Sequence, residues 1–360
     1  MLYVVEGLCD CHSYTAEGMS PMAIIKVKIS EARVEYLEHL EARGVKASTR
    51  RVYEGTINAL IKGCGDIYMS TLSAEHMDKL FRATNWQAST RNVRRGMLNS
   101  FFAWSRNRRY MRQDFDPLLG WRSIRVPEKD RLRIPVQEWG KLFAAADSPI
   151  KRVLIALGLY TFLRGSEIQA LQIQHVDLEN KLLSIYRIKT ESRDEMPICV
   201  ELEDHLRNYL TWYSQRLQQQ GDSLTAETYL VPAQVRGTHQ KVNHRFVKGT
   251  ARLNPHRAHS RPHHIVQEVL QDAGYSDQMI REGVHTLRRS GARAYFDSLV
   301  DRGYDGALRR VQSMLGHSNT IVTETYLGIK LDREQRNREL AGHHMFPVET
   351  AETTLRVVNS

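Results

Sequence analysis

Arg164, His285, Arg288, His317 and Tyr326 have the side-chain types and local spacing to hold an anionic ester and attack it, although they lie far apart in the chain. Arg164 stands in Thr161-Phe162-Leu163-Arg164-Gly165-Ser166-Glu167-Ile168-Gln169. Ser166 followed three places on by Gln169 reads as a capping box. Arg164 then sits just ahead of a helix start, where its guanidinium joins backbone N–H groups in a pocket suited to an anion. In Val284-His285-Thr286-Leu287-Arg288-Arg289, His285 and Arg288 are spaced i and i+3 and project from one helical face. Arg289 then points elsewhere, as a surface or phosphate-backbone contact. Met314-Leu315-Gly316-His317-Ser318-Asn319 ends one helix at Gly316 and begins another at a polar residue among 318–320, exposing His317 at the corner. Tyr326 follows on a short helix, in Thr323-Glu324-Thr325-Tyr326-Leu327.

Singly, these residues have ordinary alternatives: a loop arginine on the surface, a tyrosine in a core. As a set they describe one chemistry. A phenol with a pKa near 10 is a weak nucleophile at neutral pH until a base or nearby cations favour the phenolate. A phosphodiester under attack gathers charge on its equatorial oxygens. Fixed guanidiniums and imidazoles stabilise that charge without reorganising, and losing one such donor typically costs about 2.7–4 kcal/mol of barrier.

Five motifs occur in one order: T-F-L-R-G-S-E-I, I-K-T-E-S-R-D-E-M-P-I, H-T-L-R-R-S, L-G-H-S and T-E-T-Y-L. The set resembles the tyrosine recombinase, or phage integrase, family across most of residues 136–330. The resemblance implies a role for each matching residue. Arg164 and Arg288 would grip the non-bridging oxygens of the scissile phosphate, joined by His285 and His317 as donors. Tyr326 would attack, leaving a 3′-phosphotyrosine and a free 5′-hydroxyl. Lys189 would protonate the departing 5′ oxygen, with Lys181 a rival on the same hairpin. Glu167 would steady the pocket. Arg289 stands where relatives commonly carry histidine.

The same resemblance implies a site-specific recombinase, an integrase or excisionase of a mobile element or phage. Its partner would be double-stranded DNA with inverted-repeat core sites, its working form a tetrameric synapse, with accessory DNA-bending proteins. Type IB topoisomerases and telomere resolvases share this constellation. A non-catalytic DNA-binding regulator on the same fold would have no use for the intact set. Because one phosphoester replaces another, the scheme needs no ATP. No carboxylate cluster suits Mg²⁺, so neither metal nor other cofactor is expected.

The elements that must position these residues fall into two domains, consistent with 360 residues. The predicted fold is mostly α with a small antiparallel β-sheet: an N-terminal helical core-binding bundle and a mixed α+β catalytic domain. Residues 29–120 are expected to form four helices. Val34, Leu37 and Leu40 mark the first, and the second ends at a Gly63-Cys64-Gly65 turn. Met77, Leu80 and Phe81 mark the third, and Val93, Met97, Leu98, Phe101, Phe102 and Trp104 the fourth. Residues 29–135 hold 20 Lys/Arg against 12 Asp/Glu. Arg50, Arg51, Arg91, Arg94, Arg95, Arg106, Arg108 and Arg109 cluster there and are expected to meet DNA phosphates. The whole-chain charge of +10 points the same way.

Residues 121–135, charged and with two prolines, read as an interdomain linker. The catalytic domain, 136–330, should hold helices near 136–146, 149–162, 202–219, 241–252, 261–273, 286–300 and 305–315, with a hairpin pairing 181–188 and 194–200. By the resemblance, the two domains would clamp the duplex. Residues 1–28 form an extension with a possible strand at 23–28 and a Cys9-Cys11-His12 cluster too small for a zinc site. The His256, His259, His263 and His264 stretch likewise lacks a metal-ligand pattern. A tail, 331–360, is expected to pack in trans. Four scattered cysteines, and no secretion signal or apolar span, lead to the expectation of a reducing cytoplasm, and the resemblance implies a bacterial or phage-infected host, with the protein at the nucleoid.

Overall fold

The structure is a computed structural model, described over residues 23–126, 131–187, 190–235, 240–242, 245–247, 251–275, 282–329 and 341–342. The Cys9, Cys11 and His12 cluster, Lys189 and the C-terminal tail, apart from 341–342, lie outside these residues. The chain divides into two compact units, Met1–Lys129 and Asp130–Ser360.

In the first unit, four helices bury apolar stripes against one another: α1 (Ile29–Ala42), α2 (Ala47–Cys64), α3 (Ala74–Ala83) and α4 (Ala88–Asn107). The core gathers Tyr36, Leu60, Met77, Leu80, Phe101 and Phe102. The stripe of α1 runs through Ile29, Ala32, Tyr36 and Leu40, which turns Val34 outward at 48% exposure. Val93 on α4 is also solvent-facing. Helix α2 continues through Gly63 and stops at Gly65 with φ +82°. The strand expected at 23–28 does not form. That segment makes a single bridge, Lys28 with Tyr68, and one further backbone bond, from the Ile25 N–H to the Arg109 carbonyl at 2.9 Å, without a strand ladder among the described residues.

The second unit is built around α6 (Pro149–Thr161), which is buried on nearly every side. Helix α5 (Trp139–Ala145) precedes it, and α7 (Gly165–Ala170) follows after one left-handed residue, Phe162 at φ +53°. Next comes an antiparallel sheet in the order β1 (Val176–Asp177), β2 (Leu182–Arg187), β3 (Ser192–Pro197), with Leu183 opposite Met196 and Ile185 opposite Asp194. Helix α8 (Val200–Gln218) packs on α6. Strand β4 (Pro232–Val235) pairs with β7 (Arg252–Ala258), and β5 (Gln240–Val242) with β6 (Arg245–Val247). Helices α9 (Pro262–Asp272), α10 (Val284–Leu299), α11 (Tyr304–Leu315) and α12 (Thr320–Leu327) complete the described unit.

Of the stretch 241–252, expected as a helix, the described residues 241–242, 245–247 and 252 lie in strands instead. Val242, Phe246 and Val247 are strand-formers, a signal stronger than the weak helical period.

Two glycines set how closely α10 lies on α6. A Cβ on Gly158 would come 2.7 Å from Leu287 Cβ, and one on Gly291 would overlap the Leu159 carbonyl. This contact places the start of α10 beside the end of α6, and hence His285 and Arg288 beside Arg164. No helix among the described residues is long and apolar enough to cross a membrane.

Candidate active site

Arg164 is the N-cap residue of α7, where its own N–H donates to Glu167 Oε2 at 2.7 Å and its Nη1 donates to Glu167 Oε1 at 2.8 Å. The capping partner is thus Glu167, two places earlier than the Ser166–Gln169 box predicts. Gln169 instead donates to the His259 carbonyl at 2.9 Å. Glu167, at 2% exposure, is the anion around which the cations gather: Arg187 Nη1 lies at 3.7 Å and Arg288 Nη1 at 3.8 Å. A buried carboxylate amid guanidiniums keeps their charges tolerable and their planes fixed.

Arg288 is 1% exposed. Its Nη1 donates to the Phe162 carbonyl, and its Nη2 donates to the Leu315 carbonyl at 2.7 Å. Arg164 Nη2 reaches the same Leu315 oxygen at 3.5 Å. Leu315 ends α11, so two guanidiniums meet at the negative end of a helix dipole. Burial lowers the Arg288 pKa to about 10, with the Arg164 charge adding to it and Tyr326 and Glu167 opposing. It remains a cation at neutral pH.

Gly316, left-handed at φ +61°, terminates α11, and Asn319 caps α12 by accepting the Val322 N–H at 2.9 Å. Between them His317 is held by its N–H to the Gln312 carbonyl, at 3.1 Å, and by Nδ1 to Thr323 Oγ1, also at 3.1 Å. Its ring meets the Tyr326 ring edge-on, with centroids 5.3 Å apart at 79°. The Arg288 guanidinium lies 5.8 Å from the centroid of the same tyrosine. The Tyr326 hydroxyl donates to the His285 carbonyl at 3.5 Å. Burial raises the Tyr326 pKa, while Arg288, Arg289 and Arg164 pull it back.

His285 is exposed on the first turn of α10. Its imidazole is held below the ordinary 6.5, first by partial desolvation, then by the Arg288, Arg289 and Arg164 charges and by His263. It is neutral at pH 7. The fold thus brings Arg164, Glu167, His285, Arg288, His317 and Tyr326 of one chain together. Lys181 is elsewhere, paired with Glu203.

Arg289 is not a surface contact. It is 8% exposed and ion-pairs with Glu282, itself 4% exposed, beside Thr286. Arg289 Nε also donates to the Leu132 carbonyl at 3.3 Å, and Ser290 Oγ accepts the Ile134 N–H at 2.8 Å, so α10 fastens the segment that leads into this unit. The partner Glu282 lies seven residues back, across a helix start, where sequence spacing gives no signal. Arg187, also missed, was more legible: Leu183, Ile185 and Arg187 occupy the inward positions of β2, as period-two alternation implies.

In the first unit, several arginines expected on DNA have internal partners. Arg50 pairs with Glu41 at 2.6 Å, Arg91 stacks over Trp121 at 4.5 Å and Phe81 at 4.9 Å, and Arg94 covers Trp86 at 4.6 Å. Arg95 donates to the Trp121 carbonyl, and Arg106 to the Phe115 carbonyl at 3.1 Å. Arg51, Arg108 and Arg109 are exposed. Of the histidine stretch, His256 and His264 are exposed, and His259 and His263 half-buried. Among the described residues no three His, Cys, Asp or Glu side chains gather as a metal site.

A mostly helical frame with this arrangement defines a class, the DNA strand transferases of the tyrosine recombinase kind. The chain belongs to the phage integrase family, which matches residues 133–331, more than half of its length. It is 28% identical over 309 residues to the tyrosine recombinase XerC of Mycobacterium sp. strain KMS, covering 81% of this chain and 91% of that protein. The XerC of strain JLS matches to the same extent. In fold, the chain is similar to a lambda integrase dimer bound to a COC′ core site (TM-score 0.59, 15% identity, 85% of this chain and 99% of that one). It is also similar to the Tn1549 transposon integrase in complex with circular intermediate DNA (TM-score 0.55, 15% identity, 87% and 99%).

Proposed function

We propose that the protein is a site-specific recombinase that cuts and rejoins duplex DNA through a 3′-phosphotyrosyl ester on Tyr326, and that it integrates or excises a mobile element. The observation that carries this reading is the packing of Tyr326 against both Arg288 and His317 of its own chain.

In this mechanism Arg164 and Arg288 bind the non-bridging oxygens of the scissile phosphate, exchanging their carbonyl contacts for the more strongly charged ligand. His317 donates a further hydrogen bond. The Tyr326 oxygen forms a bond to phosphorus while its proton passes to His285, which, being neutral, acts as base in place of the donor role that the resemblance implies, and the bond from phosphorus to the 5′ oxygen breaks. Lys189 supplies the proton that the 5′ oxygen takes, an assignment resting on the hairpin motif. Attack by a 5′-hydroxyl on the phosphotyrosyl ester reverses these steps and joins a new strand. The number of phosphoester bonds is unchanged, so no ATP is consumed.

The proposed substrate is a duplex core site with inverted repeats, synapsed by four protomers, with bending proteins as accessories. Lambda integrase has been solved as a dimer on a core site and as a tetramer on a Holliday junction. A supercoiled plasmid carrying two copies of the site selected by the protein from a random-sequence duplex pool tests the reading. Deletion or inversion between the sites supports recombination. Relaxation without exchange would assign the protein to topoisomerase chemistry, and binding without either would make it a regulator.

A further inference from the structure

We infer that His263 is a positioning residue for strand cleavage: its imidazole fills the space beside Gly283, where α10 begins, and so fixes the turn that carries His285. The inference rests on the recombinase reading above, in which His285 takes the Tyr326 proton, and names a residue which that reading does not use.

Three helix starts meet here. Arg164 is the N-cap residue of α7, His263 lies in the first turn of α9, and Gly283 is the N-cap residue of α10, two places before His285. Gln169 of α7 donates to the His259 carbonyl at 2.9 Å, and the Arg261 N–H donates to His259 Nδ1 at 3.2 Å. The approach to α9 is thereby tied to the helix that Arg164 opens. Buried Pro262, at the first position of α9, then sets its entry. A Cβ on Gly165 would lie 3.9 Å from the Val284 side chain, an ordinary contact between the starts of α7 and α10.

The contact between α9 and α10 is closer. A Cβ on Gly283 would overlap His263 Nδ1 and Cε1 and come 3.0 Å from Cγ. The ring therefore stands where an N-cap side chain would be. Ser, Thr, Asn or Asp is favoured at such a position, because its oxygen accepts an N–H of the first turn and holds that turn in place. Gly283 has no such group. Its own N–H donates to Thr286 Oγ1 at 3.1 Å, and the Thr286 hydroxyl donates to Glu282, which braces the turn from within. His263 supplies the wall from outside.

His285 faces Arg288 and Arg289 of its own helix, Arg164 at the head of α7 and His263 of α9, while Tyr326 of α12 donates to its carbonyl. His263 in turn faces His264 and Glu282. Desolvation holds His263 below the ordinary 6.5, so an uncharged ring packs on Gly283 at neutral pH. Desolvation is also the first cause that holds His285 below 6.5. Removing the ring at position 263 admits water beside Gly283 and loosens the turn. Both effects reach the proton acceptor: its aim slackens and its pKa rises toward 6.5.

The test follows single-turnover adduct formation against pH on nicked suicide duplexes built on the selected site, at saturating enzyme, with DNA affinity measured separately. A positioned base supplies about 10²–10⁴-fold, and His263→Ala, which loosens the base without removing it, is expected to lower the neutral rate by roughly tenfold. Affinity should stay within about twofold, since no phosphate contact is lost. The acid limb should move up toward 6.5. Gly283→Ala, whose methyl group runs into the ring, should show a similar defect. In the double variant that methyl enters the vacated space, and the rate should return to within about threefold of wild type. Losses that multiply instead would overturn the inference. If Gly283→Ala alone does not fold, a folded and cleaving double variant is the same supporting result. Failure of both to fold leaves the limb of His263→Ala to decide. An unmoved limb there, or lost affinity with the saturated rate intact, would overturn the inference, the latter making His263 a DNA contact. Absence of any wild-type adduct would overturn the recombinase reading and this inference with it.

Discussion

The hydroxyl of Tyr326 donates to the main-chain carbonyl of His285 at 3.5 Å. The candidate nucleophile on α12 is thus docked on the first turn of the helix that supplies His285 and Arg288. Because that imidazole is held below 6.5 by desolvation and by Arg288, Arg289 and Arg164, it is neutral at pH 7 and can take the phenol proton. On acidification through its lowered pKa it becomes a cation and loses that ability. Single-turnover cleavage should therefore be flat around neutrality and fall on an acid limb with its midpoint below 6.5. In His285→Asn the limb should vanish along with much of the rate. An unchanged limb in that variant would remove His285 from the proton's path.

Arg289 and Glu282 form a buried pair, and removing one partner strands the other's charge. Arg289→Ala should cost about 3–5 kcal/mol of unfolding free energy. Urea denaturation measures it. An unaltered midpoint would return Arg289 to the surface-contact role that helical spacing alone implies.

Gly291 lies where α10 touches the backbone of α6, and its added methyl would overlap the Leu159 carbonyl. Gly291→Ala should destabilise by about 1–3 kcal/mol, the usual cost of overpacking, and lower cleavage more than DNA binding because α10 carries His285 and Arg288. Wild-type stability and cleavage together would show that the interhelical distance is not set at this residue.

The arginines of the helical unit should separate into two kinds. Arg51 is exposed, and Arg51→Ala should reduce the slope of log affinity against log salt by about 0.9, one phosphate contact. Arg91 stacks on Phe81 and Trp121, and Arg91→Ala should instead lower stability by about 0.5–2 kcal/mol, the range of a cation–π contact. Similar salt slopes for Arg51→Ala and wild type would argue against Arg51 on the phosphate backbone.

What was legible in the sequence was local. The i, i+3 spacing of His285 and Arg288, the Gly316 stop before His317 and the apolar run of α6 each follow from helix geometry over a few residues. What was not legible depends on partners remote in the chain. Nothing near Arg289 announces that Glu282 folds back onto it, and nothing near Arg187 announces the Met314 carbonyl, to which its Nη2 donates at 2.7 Å. The stretch 241–252 misled because a short segment satisfies a helical period by chance, whereas its strand-formers Val242, Phe246 and Val247 carry the stronger signal. Val34 misled similarly, since the stripe of α1 is chosen by Tyr36 and Ala32 packing into the bundle.

The most direct test is chemical mapping of the covalent adduct on a nicked suicide duplex. The account predicts that peptide digestion finds the DNA 3′ phosphate on Tyr326, that the released strand carries a free 5′-hydroxyl, and that Tyr326→Phe binds the duplex but yields no adduct. An adduct on another residue, or one that persists in Tyr326→Phe, would contradict it.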